Sequence, residues 1–227
     1  MPDDPVSPTP PVSAQPLVVA VRSLVEFVLA AGDITPGGFQ KRDRAQLGTL
    51  GHRRVQRSRP EGYASEVEIT FQMPGADPPL EVQGRMDGLY TDADPRIVEE
   101  IKTTTLSLEL IGEEHNRLHW AQAQCYAYML ARRDGLDAVG VHLTYYHLDS
   151  KKEKTFARLF SLAELETFFQ AVITPYLAWM RTLQALRGER DRSIQALEFP
   201  YPGYREGQRE MAVAVYKAIR AGERLYV

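Results

Sequence analysis

One cysteine, Cys125, is all that 227 residues carry. That scarcity excludes an internal disulfide framework, a zinc site of four cysteines and an iron-sulfur cluster held by four, and it fits a reducing, cytoplasmic setting. Long apolar runs are also lacking. The longest near the start, Leu17 to Val21, falls far short of the roughly 20 residues that cross a bilayer, and no basic n-region precedes it. No membrane association is expected. Nor is there a Gly-x-x-x-x-Gly-Lys-(Ser/Thr) loop, so no ATP bound in that way is expected. Finally, the chain lacks a basic excess: 27 Lys and Arg stand against 30 Asp and Glu, a net of −3. Spread evenly, that balance would argue against a nucleic-acid partner.

The charge is not spread evenly. Residues 40 to 59 hold Lys41, Arg42, Arg44, Arg53, Arg54, Arg57 and Arg59 with Asp43 as the only acid, a local excess of +6. The apolar content, 44%, is ample for one folded domain of this length. Residues 1 to 16 are rich in proline, Ser, Thr and Asp and read as a disordered tail. From Leu17 to Ala31 apolar residues recur at helical spacing, with Gly32-Asp33 as a stop, which predicts an amphipathic helix. Strand periods follow over Glu66 to Gln72, Pro78 to Tyr90 and Arg96 to Thr103, separated by turn residues, as in an antiparallel meander. Asn116 to Arg132 reads as a helix, and Ala138 to Asp149 with Glu153 to Phe160 as a hairpin around Ser150-Lys151-Lys152. Ser161 and Glu164 form a capping box that opens a long helix containing Pro175. A mixed sheet with helices packed on it places the chain in the α/β class.

Four features succeed one another: His52 in the basic stretch, Asp87 in Gly84-Arg-Met-Asp-Gly88, Glu100-Ile101-Lys102, and Gln122 with Tyr126. Alternate strand residues share a face, so Glu100 and Lys102 project together while Glu99 and Ile101 point the other way. If the preceding strand lies alongside, Asp87 brings a second carboxylate, and two carboxylates held close call for a cation between them. Hard oxygen donors suit Mg2+ or Mn2+, and an imidazole from His52 favours Mn2+. His119, Gln122 and Tyr126 fall on one helical face, to contact a DNA backbone or to orient Lys102. Singly, each element is ordinary: Asp in such a loop is commonly a turn residue, and Glu-x-Lys an exposed ion pair. His115 and His119 have zincin spacing, but Asn116 stands where the general-base Glu is needed.

Together and in this order the elements resemble the PD-(D/E)XK nuclease superfamily, RecB-like branch, whose order is His, Gly-x-x-Asp, (Asp/Glu)-x-Lys, Gln-x-x-x-Tyr. The resemblance covers roughly residues 17 to 185 and is similar to nuclease domains fused ahead of DinG/XPD-type helicases. It rests on Val21-Arg-Ser-Leu-Val-Glu-Phe-Val28, Gly51-His52, Gly84-Arg-Met-Asp-Gly88, Val98-Glu-Glu-Ile-Lys102 and His119-Trp-Ala-Gln-Ala-Gln-Cys-Tyr126. It implies a restriction-endonuclease-like mixed sheet flanked by helices, a Mn2+- or Mg2+-dependent DNA nuclease, and Asp87, Glu100, the Ile101 carbonyl and His52 as metal ligands. Lys102 would then position or activate the attacking water. Glu26, on an apolar helical face, is either a carboxylate behind the metal site or a snorkelling surface residue. The basic residues Lys41, Arg42, Arg44, Arg53, Arg54 and Arg57 become the expected DNA-tracking surface, with single strands favoured.

These readings divide the chain into 1–16, a nuclease domain over 17–190, and a segment over 191–227 whose Leu197-Glu-Phe-Pro-Tyr-Pro-Gly-Tyr-Arg-Glu-Gly-Gln208 resembles the lead-in to a DinG/XPD-type helicase core without its Walker loop. The expectation is a nuclease serving DNA repair or recombination, with a helicase in cis or in trans. The alternative is a non-catalytic DNA-binding module serving such a helicase. A junction resolvase on the same fold would need a dimer, and no dimerisation face is evident in the sequence.

Overall fold

The structure is a computed structural model that describes residues 16–31, 41–198 and 200–226. The proline-rich tail therefore lies, but for Pro16, outside the described residues. The chain divides into two compact units, Met1–Thr182 and Leu183–Val227. The first unit is α/β, as expected, with six strands in one mixed sheet and helices packed against it.

The elements run β1 (Leu17–Ala20), α1 (Val21–Leu29), α2 (Lys41–Arg57), β2 (Tyr63–Gln72), β3 (Leu80–Tyr90), β4 (Ile97–Thr104), α3 (Arg117–Asp134), β5 (Ala138–His147), β6 (Glu153–Ser161) and α4 (Leu162–Gln195). The expected meander is present, β3 pairing antiparallel with both β2 and β4, and so is the β5–β6 hairpin. β4 and β5 run parallel, joined by α3. Asn116 caps α3 through its side chain, which accepts the Leu118 N–H, and Gly135 closes the helix in the left-handed region. The Ser161–Glu164 capping box opens α4 as expected, and Pro175 sits inside that helix. The expected boundary at 190 also falls within α4.

One expected element is corrected. The helix predicted over Leu17 to Ala31 begins only at Val21, because Leu17–Ala20 is a strand that pairs parallel with Leu80–Gln83 of β3. Two adjacent valines favour extended backbone, and an open sheet edge captures it. The helical spacing of the flanking residues hides this, since a four-residue strand is too short to show a period of its own.

On one face of the sheet, α3 buries nearly every residue from Trp120 to Ala131 against Leu80, Val82, Met86, Val98 and Val141. α4 closes the same core with Leu165, Phe169, Val172 and Ile173. On the other face lies α2, whose Val55 packs with Ile101 and Tyr146. A Cβ on Gly51 would stand 2.5 Å from Thr103 Cγ2, so glycine lets α2 sit directly on β4. In the second unit, α5 (Gln208–Ala221) runs between Gly207 and Gly222, both left-handed, and buries no residue.

Candidate active site

The site begins as a gap in the sheet. Because β2 pairs with β3 along Glu81 to Tyr90, β1 and β4 must share the other edge of β3. β1 uses Leu80 to Gln83 and β4 uses Gly88 to Tyr90, which leaves Gly84, Arg85, Met86 and Asp87 without a strand on that side among the described residues. A cleft of about 850 Å³ opens there, lined by Gly84, Asp87, Glu100, Lys102, Gln122 and Tyr126 among others.

Strand alternation breaks at the same place. Met86 and Leu89, three residues apart, both enter the α3-side core. Opposite, Glu66 of β2 has φ +55, a conformation that costs a non-glycine residue about 1–3 kcal/mol and concentrates at functional sites. With the ladder broken, the Asp87 carboxylate replaces a strand carbonyl: Ile101 N–H donates to Asp87 Oδ2 at 2.7 Å. The Asp87 carbonyl is in turn taken by Gln56 Nε2 of α2 at 2.9 Å. One turn earlier on α2, His52 Nδ1 stands 3.2 Å from Asp87 Oδ1. Burial alone would lower the His52 pKa, but the hydrogen bond and charge of Asp87 reverse this and hold it above 6.5.

Glu100 and Lys102 project from β4 on one face, as alternation requires. Lys102 Nζ donates to Glu100 Oε1 at 2.5 Å and to Gln122 Oε1 of α3 at 3.0 Å. Glu100 is 4% exposed, and burial pushes its carboxyl up to about 7; Lys102 opposes the shift and the Asp87 charge adds to it. Tyr126, one turn beyond Gln122, explains the motif glycine. A Cβ on Gly84 would lie 2.6 Å from the Tyr126 ring, whose hydroxyl also meets the Arg85 backbone. The Gly-x-x-Asp and Gln-x-x-x-Tyr elements are thus two sides of one contact.

Asp87, Glu100, Lys102, Gln122, Tyr126 and His52 are therefore brought together, and Ile101 joins them through its amide. Arg53 and Arg57 reach the rim of the cleft, whereas Arg54 turns to the opposite side of α2. Lys41, Arg42 and Arg44 begin α2, but their side chains lie outside the described residues. Glu26 does not line the cleft; it accepts from Arg22 Nε at 2.8 Å, and Arg22 does line it. His119 stands behind Lys102, its Nδ1 2.9 Å from the Tyr145 hydroxyl. Burial, then the Lys102 charge, lowers its pKa to about 3. Glu99 faces away, buried against Arg59, which donates to it at 2.6 and 3.0 Å.

Sequence reasoning misses Gln56, Glu66 and Arg22. Gln56 carries one usable signal, its place four residues after His52, which puts both on one face of α2. Glu66, paired with Arg85 at 2.8 Å and with Gln56, reaches the cleft only because its backbone reverses.

The donor chemistry suits a hard divalent cation: two carboxylates and an imidazole beside a backbone that has left its ladder. As folded, the carboxylates are engaged by Lys102, by His52 and by the Ile101 amide, and among the described residues no three His, Cys, Asp or Glu side chains are grouped to hold a metal.

No protein-family model matches the chain, and no curated protein matches it. Among solved structures the chain is similar to the crystal structure of SSO0001, at 16% identity and a TM-score of 0.42, over 72% of this chain and 79% of that one. It is also similar to an alkaline exonuclease (LHK-Exo) from Laribacter hongkongensis, at 17% identity and a TM-score of 0.44, over 75% of this chain and 93% of that one. No helix among the described residues is long and apolar enough to cross a membrane.

Proposed function

We propose that the chain is a divalent-metal-dependent deoxyribonuclease of the PD-(D/E)XK type, acting on single strands or ends in repair or recombination, with a helicase working beside it. What supports this reading above all is the meeting of Asp87 with Glu100 and Lys102 at the stretch of the β3 edge that, among the described residues, carries no strand.

In this reading Asp87, Glu100, the Ile101 carbonyl and His52 would hold Mn2+ or Mg2+. Bound there, the ion supplies a water of lowered pKa and neutralises charge that develops on the phosphorus oxygens. The protein's own groups do the rest. Lys102, fixed between Glu100 and Gln122, presents a positive charge whose direction is set before substrate arrives, so little reorganisation is needed at the moment of reaction. Arg53 and Arg57 on the rim hold backbone phosphates, a contact that is electrostatic and independent of sequence. Arg22, paired with Glu26, adds a further cation to the lining of the cleft.

The test is incubation of the purified chain with end-labelled single- and double-stranded DNA in Mn2+ and in Mg2+, wild type beside Asp87→Ala. Metal-dependent cleavage by the wild type alone is expected. Equal background from both, with salt-sensitive DNA binding retained, would replace the enzyme by a non-catalytic DNA-binding module.

A further inference from the structure

A second cavity, of about 540 Å³, lies on the far side of α2 from Asp87. Helical spacing decides which residues reach it. His52 and Gln56 turn toward the cleft, and Gly51 and Val55 lie on the sheet. Leu47, Leu50 and Arg54, at i, i+3 and i+7, turn into the groove. Arg53 and Arg57 fall between the two faces and line both cavities, so α2 is a ridge with a basic crest. The far wall comes from the β5–β6 hairpin and includes Tyr146 and Lys151.

The composition of this groove is specific. Leu47 and Leu50 are 48% and 62% exposed, an apolar surface beside cations. Among the described residues no ion pair joins Arg53, Arg54 or Arg57 to a carboxylate, and Asp149 is the only acid in the lining. The Tyr146 hydroxyl is buried and finds no hydrogen-bond partner among the described residues. Apolar side chains beside free guanidinium groups suit a ligand that alternates flat apolar faces with anions, which is a nucleic-acid strand with its bases unpaired. A duplex keeps its bases stacked inside and offers no face to Leu47 and Leu50.

We propose that this groove is a second nucleic-acid subsite: a single strand seated in the Asp87 cleft crosses α2 over Arg53 and Arg57 and sets a further nucleotide beyond the ridge. Its phosphate lies on Arg54 and Lys151, and its base lies on Leu47 and Leu50. The inference rests on the nuclease reading of the cleft.

The experiment measures binding of fluorescein-labelled oligo(dT) of increasing length to the full chain in EDTA, which prevents cleavage. Wild type is compared with the double variant Arg54→Gln/Lys151→Asn. Lys151 has φ +60, a conformation asparagine tolerates, so the charge is removed without added strain. Oligonucleotides that fill only the cleft bind both proteins alike. For longer ones the variant binds about ten-fold more weakly, and the slope of log affinity against log salt is shallower by about 0.7, the value for one phosphate no longer neutralised on a single strand. Leu50→Gln weakens binding of the longer oligonucleotides with no change in that slope. If the double variant binds long oligonucleotides like the wild type, or is weakened equally at every length, the groove holds no nucleotide and the inference falls while the cleft reading stands. If the wild type binds no oligonucleotide at any length, in EDTA or with Ca2+ in place of Mn2+ and Mg2+, the cleft reading falls and takes the inference with it.

Discussion

The Ile101 amide donates to Asp87 Oδ2 at 2.7 Å, so a β3 side chain holds β4 at the point where the strand ladder between them has stopped. The ladder itself ends with Gly88 opposite Glu99, one residue short of Asp87 and Glu100. Asp87 thereby stands on two links at once: it closes the fold across the gap, and it delivers a carboxylate oxygen, Oδ1, to the cleft beside His52.

Two substitutions separate those roles. Asp87→Asn keeps an acceptor for the Ile101 amide and removes the charge, so cleavage should be lost while the melting temperature stays close to that of the wild type. Asp87→Ala leaves a buried N–H unpaired, which costs about 1–3 kcal/mol and lowers Tm by roughly 2 to 12 °C in a domain of this size. Thermal unfolding of the three proteins checks this. Identical melting of the two variants would mean that the amide contact does not support the gap.

A second prediction concerns Gly84. An alanine there places its Cβ 2.6 Å from the Tyr126 ring, too close for any packed pair of carbons. Gly84→Ala should destabilise the protein and displace Tyr126, whereas Gly84→Ala with Tyr126→Leu should recover much of the loss because the smaller side chain vacates the space. A double-mutant cycle in urea reads the coupling, expected at roughly 1–3 kcal/mol. Additive losses would show that the two residues do not share the space.

The third prediction lies on the opposite face of β4. Arg59 follows α2 and donates to Glu99, which is fully buried, and to Glu153. Removing one partner strands a buried charge, so Arg59→Met should cost about 3–5 kcal/mol. Replacing both, Arg59→Met with Glu99→Leu, should return most of that, since Thr144 keeps Thr155 as a partner at 2.9 Å. Denaturant melts at neutral pH measure both. An equal loss in the single and double variants would rule out the ion pair as the element that fastens α2 to β4.

Much of this site is legible in the sequence because it depends on local periods. Glu100 and Lys102 share a face by strand alternation, Gln122 and Tyr126 by the helical repeat, and the β5–β6 hairpin and the Ser161 capping box announce themselves in turn residues and in an i, i+3 pair. What escapes depends on partners distant in sequence. β1 is a strand because the edge of β3 is free where it arrives. Asp87 reaches the cleft because alternation fails there, and that failure needs the reversed backbone of Glu66 on the neighbouring strand. Gln56 acquires its role only when the Asp87 carbonyl loses its ladder partner. The basic stretch shows charge in the sequence, but not that α2 divides it between a cleft and a groove.

The last prediction follows from His119. Burial, reinforced by the charge of Lys102, lowers its pKa to about 3, while in the unfolded chain it titrates near 6.5. Below pH 6.5 the unfolded chain therefore holds a proton that the folded chain refuses. The stabilisation is whole above pH 6.5 and declines as the pH falls toward 3, by as much as about 1.4 kcal/mol per pH unit from this one group. His119→Gln keeps a polar partner for the Tyr145 hydroxyl and removes the titration. Carboxylates titrate in both proteins, so the quantity to follow is the difference in unfolding free energy between wild type and variant from pH 7.5 to pH 5. That difference should move in favour of the variant as the solution is acidified. A difference that stays constant across the range would show that the imidazole is free to take a proton in the folded protein, and that the wall behind Lys102 is wetter than its burial implies.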